Sequence, residues 1–147
     1  MKRLLLAVTL ATSASVFAHN DNKNEPNEPP SVCLRHGAAA TIGAMGRYAG
    51  TSLVFKYAPI ETIDKLYRRD GSGGRVYRDY DDLPKDAIYV ATEYDLEQRK
   101  NFEVSALFGW KQANRWIAEG RPVPERYLLM PIFYTNCEKQ MKEQTNE

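Results

Sequence analysis

Residues 101–120, NFEVSALFGWKQANRWIAEG, carry the strongest periodicity in the chain. Phe102, Ala106, Gly109, Ala113 and Trp116 recur at alternating spacings of four and three, which puts them on one face of a helix. Trp110 and Ile117 widen that stripe. Gly120 is suited to end the helix, and Pro122 and Pro124 prevent its continuation. Helical text extends back to about Lys85. The strongly polar interval from Glu93 to Asn101 allows two helices there instead of one.

N-terminal to this segment, Val32 to about Tyr57 is rich in small residues. Ala39 and Gly43, Ala40 and Ala44, and Gly46 and Gly50 lie four apart, so a helix here lets another backbone approach closely. Ser31 is the expected N-cap, and Gly50 the expected end or bend. Leu53-Val54-Phe55 is too short to assign to helix or strand. A second helix is expected at 59–69, with Ile60, Ile63, Leu66 and Tyr67 at helical spacing. A last helix begins at Pro124-Glu125 and should bend at Pro131. The pattern predicts a mainly α fold, a small bundle of about four helices, with room for a short strand or hairpin near 75–80.

Composition agrees. Of 147 residues 43% are hydrophobic and 27% charged, which suits one globular domain. A formal charge of +1 gives no electrostatic reason to expect nucleic acid or a membrane surface as partner.

Met1-Lys2-Arg3, the short apolar run Leu4 to Ala11, and Val16-Phe17-Ala18 have the layout of a cleaved secretory signal. The run is too short to span a bilayer. Cleavage after Ala18 leaves about 130 residues, a single-domain length, and places the protein in the periplasm or outside the cell. Residues 19–30 contain no large apolar side chain and read as a flexible leader. The folded domain is expected over 31–140, and 141–147 as a frayed tail.

Two cysteines, Cys33 and Cys137, stand near the two ends of that domain. In an oxidising compartment they should pair and close the bundle. A redox role is not expected, because Cys-x-x-Cys spacing is lacking.

The residues for chemistry are few. His19 and His36 are the only histidines. A Cys33–His36 nucleophile pair would require a free thiol, and a copper site at His19 would require a second, rigidly held imidazole. Asp79, Asp81, Asp82 and Asp86 lack the ligand spacing of a calcium loop. Asp70-Gly71-Ser72-Gly73-Gly74-Arg75 lacks the Lys-Ser/Thr of a phosphate-binding loop. Glu93 and Glu103 illustrate the carboxylates a hydrolase would need, but no spacing selects a pair. No catalytic residue, metal or cofactor is assigned.

The polar–aromatic text from Arg69 to Asp86 mixes the residue types that anchor protein interfaces. Arg69, Arg75, Tyr77, Arg78, Tyr80, Asp81 and Asp82 are therefore the expected contact residues. At the level of layout the chain resembles small secreted helical inhibitors and toxin-immunity proteins, though no motif assigns it to one family. The expected function is non-catalytic binding of another protein. The alternative is a small apolar or aromatic ligand in an aromatic-lined groove between the first helix and the tryptophan-bearing one. A carboxylate-dependent hydrolase comes third.

Overall fold

The computed structural model describes residues 31–69 and 77–146. Residues 1–30, expected to be a signal segment and leader, and residues 70–76, which include the glycine-rich stretch and Arg75, lie outside the described residues. Among the described residues four helices carry the fold: α1 (Val32–Ala49), α2 (Ile60–Tyr67), α3 (Leu96–Ala118) and α4 (Arg126–Thr145). Two four-residue strands, β1 (Phe55–Ala58) and β2 (Ile88–Ala91), pair in parallel. The fold is mainly α, as the periodicity predicts.

The helix boundaries follow from capping chemistry. The Ser31 side chain accepts the Leu34 N–H at 3.2 Å. At the other end of α1, Gly50 turns left-handed (φ 79°), and the Gly50 and Thr51 N–H groups return to the Arg47 and Gly46 carbonyls. Gly120 (φ 73°) ends α3 in the same way, with Gly120 and Arg121 bonding back to Ile117 and Trp116. Asp95 and Gln98 form a reciprocal capping box that starts α3. Pro131 lies inside α4, which is helical on both sides of it and continues to Thr145 along an exposed last turn.

The expected helix from Lys85 requires correction at its beginning. Ile88–Ala91 is a strand, buried along most of its length, and α3 starts only at Leu96. A buried run of Ile-Tyr-Val-Ala suits a strand once a partner is present. That partner is β1, which takes in Phe55 of the ambiguous run at Leu53–Phe55 and leaves Leu53 and Val54 outside any element. A crossover containing α2 joins the two strands, as parallel pairing requires. Of the expected strand or hairpin near 75–80, the described residues show one antiparallel bridge, Arg68 to Tyr77, and residues 75 and 76 lie outside the described residues.

At the centre, α1 and α3 cross with almost no side chain between them. A Cβ on Gly43 would fall 1.8 Å from the Ala106 carbonyl oxygen, and one on Gly109 would fall 1.8 Å from that of Ala40. The small-residue spacing in both helices thus serves backbone-to-backbone contact. On its other flank α1 meets α4 running the opposite way: Cys33 pairs with Cys137, Gly37 meets Tyr134, and Thr41 meets Met130. The disulfide links residues 104 apart with Cα atoms separated by 5.5 Å. Ala40, Ala44, Met45, Tyr67, Leu83, Ala113, Leu129 and Phe133 form the core, and the Trp116 ring stacks on Phe133.

Candidate functional site

The described part of the expected contact segment, residues 77–86, is largely built into the fold. The Tyr77 ring lies under the Arg68 guanidinium at 5.3 Å, and its carbonyl accepts from Arg126. Tyr80 packs on the Tyr48 ring and donates its hydroxyl to the Pro124 carbonyl at 2.9 Å. Burial pushes the Tyr80 phenol up to about 12. Arg78 donates its Nε to the Lys65 carbonyl. Of the expected contact residues, Arg69, Asp81 and Asp82 are the exposed ones, and Arg75 lies outside the described residues. Asp79 pairs with Arg126 at 2.6 Å.

Cys33 is committed to the disulfide, so it cannot pair with His36 as a nucleophile. His36 instead places Nδ1 2.9 Å from Ser105 Oγ, with the Phe108 ring 5.3 Å away. Burial holds its pKa below the usual histidine value, so the ring stays neutral near pH 7. Ser105 lies inside α3, where the surrounding N–H groups are tied into the helix. The pair is a polar contact between α1 and α3.

The proposed ligand groove between α1 and α3 meets the Gly43–Ala106 and Gly109–Ala40 contacts, which leave no space at the crossing. Among the described residues no group of three or more His, Cys, Asp and Glu could hold a metal ion, and no helix is long and apolar enough to cross a membrane.

The sheet end gathers a set of bonded polar side chains. Tyr57 donates its hydroxyl to Glu103 Oε1 at 2.8 Å, while the Arg99 guanidinium lies 4.8 Å from the centre of its ring. That arginine is itself fixed by the Tyr94 and Thr92 carbonyls. The bond to Glu103 raises the Tyr57 phenol pKa. Across the sheet, Tyr89 of β2 and Lys56 of β1 both donate to Asp86 Oδ2, at 2.8 and 3.1 Å, and these bonds hold its carboxyl below the usual range. Glu93 accepts the Ile60 N–H at 3.0 Å and so caps α2, whose N-cap Pro59 has no side chain able to do so. Glu93 and Glu103 therefore each have a structural partner, and the two are not bonded to one another.

Beside this polar set lies apolar surface. Leu53, Val54, Tyr57 and Ile60 are all at least 40% exposed within eight residues of sequence. Sequence reading named Asp86, Glu93 and Glu103 and the short apolar run at Leu53–Phe55 separately, and no spacing marked them as one surface.

The chain matches no protein-family model, no curated protein and no solved structure.

Proposed function

We propose that the protein is an exported, non-catalytic module that binds another protein, of the inhibitor or toxin-immunity type. The observation that carries this reading is the sheet end. Tyr57, Glu103, Tyr89, Lys56, Asp86 and Glu93 are occupied in internal hydrogen bonds, while the aliphatic side chains of Leu53, Val54 and Ile60 stay in solvent. Exposed apolar surface next to a rigid polar frame favours a macromolecular partner. The disulfide suits an oxidising compartment, and the layout of residues 1–18 suits export through a signal segment.

The test has two parts. N-terminal sequencing of the protein from the exported fraction should begin at His19, and an intact Met1 would count against export. Affinity capture from the same fraction should give one partner in stoichiometric amount. Recovery of none across a range of salt and pH would remove the binding reading.

A further inference from the structure

The two strands differ in how their outer edges are satisfied. The Ile88 N–H bonds to the Val54 carbonyl and the Thr92 N–H to the Ala58 carbonyl. With Phe55 opposite Ile88 and Tyr57 opposite Val90, parallel geometry points the N–H and C=O groups of residues 54, 56 and 58 toward β2. The same groups of Phe55 and Tyr57 then point outward. On β2 the corresponding outward N–H, that of Tyr89, is taken by the Tyr67 hydroxyl at 3.0 Å inside the fold. Among the described residues Phe55 and Tyr57 have no such internal partner. β1 packs chiefly on β2, whereas β2 also meets α1, α2 and α3.

We propose that the free edge of β1 accepts an extended segment of another polypeptide as a third strand. This rests on the protein-binding reading above and assigns it a surface and a kind of partner. Two outward N–H groups and two outward C=O groups offer a hydrogen-bond ladder that only an extended backbone can complete. Val54, Tyr57 and Ile60 flank the ladder with apolar surface, and the Tyr57 ring is already held by Glu103 and Arg99, so little ordering is needed on binding. The matching segment is extended and carries apolar side chains toward Val54 and Tyr57.

A second copy of this chain fits less well. The antiparallel two-fold that would pair Phe55 with Tyr57 of the other copy sets Lys56 directly against its own equivalent, and like charges at that spacing repel. A lysine in the middle of a short edge is a common guard against self-pairing.

The test uses the full chain in its native host, with the photo-crosslinking residue benzoylphenylalanine at position 54 and, as controls, at exposed positions 82 and 111. A heterologous protein adduct is expected from 54. It should be lost in Phe55→Pro, which removes an outward donor and leaves the β2 ladder intact. In the purified free protein, the amides of Phe55 and Tyr57 should exchange with solvent faster than those of Lys56 and Ala58. They should slow when the crosslinked protein is added. This exchange readout decides the matter if Phe55→Pro does not fold. Adducts from 82 or 111 alone would overturn the edge and leave the binding reading standing. No protein adduct at any position would overturn both. An adduct of twice the chain mass, an adduct that survives Phe55→Pro in folded protein, or slow Phe55 and Tyr57 amides in the free protein would each overturn the third-strand proposal.

Discussion

Gly109 has the Ala40 carbonyl oxygen where its side chain would be, 1.8 Å from the position of a Cβ. Backbone occupies that space, so no rotamer change can relieve an added methyl group. Gly109→Ala should force α1 and α3 apart and cost about 3 kcal/mol, the upper end of overpacking penalties. Gly46→Ala is the control. Its Cβ would meet nothing closer than 3.5 Å, so stability should hold or rise by up to ~1 kcal/mol from helix propensity. Urea denaturation midpoints of the two variants check the contrast.

Reduction of Cys33–Cys137 should lower stability by roughly 2–4 kcal/mol, since the bond spans most of the folded chain and restricts its unfolded state. For a domain of this size that corresponds to a fall in melting temperature on the order of 10 °C. Identical melting curves with and without reductant would contradict it.

The His36 contact makes stability depend on pH in a defined direction. Its folded pKa is depressed by burial, while the unfolded chain titrates near the ordinary value of about 6.5. Above that pH both states are neutral and the contribution is complete. As pH falls below it the unfolded state takes up the proton first, so stability is lost down through the folded pKa. Wild type should therefore weaken relative to His36→Gln as pH is lowered from 7 to 5. Parallel curves for the two proteins would show that His36 is not the group responsible.

Glu93 caps a helix of only eight residues. Glu93→Ala should cost about 1 kcal/mol and should speed amide exchange at Ile60 ahead of the core. Glu93→Gln keeps an acceptor and should fall between the two. An unchanged Ile60 amide in Glu93→Ala would remove the cap from the account.

Local chemistry made much of this fold legible. Ser31, Gly50 and Gly120 mark helix ends through their own backbone preferences, and the small residues of α1 announced a close crossing. The start of α3 was also readable, because Asp95 and Gln98 stand at capping-box spacing; the apolar text upstream of them masked it. The strands were not readable. β1 and β2 are separated by α2 and its connections, and a four-residue run carries no record of a partner that far away. The same holds for the sheet end, where Tyr57 meets Arg99 and Glu103 only after folding. The Arg69–Asp86 segment looked like surface because Tyr77 and Tyr80 are surrounded by charge in sequence. Their ring and hydroxyl partners, Arg68, Tyr48 and Pro124, bring them inward.

Because the sulfur bridge ties α1 to α4, the connection between α3 and α4 is not the only covalent route to the last helix. A peptidase that cuts the exposed stretch at 121–123 adds one water molecule and separates nothing. The nicked protein should migrate as one species until a reductant is added, then fall into two pieces. A chain exposed to hydrolytic enzymes could thus be cut there and keep its last helix in place.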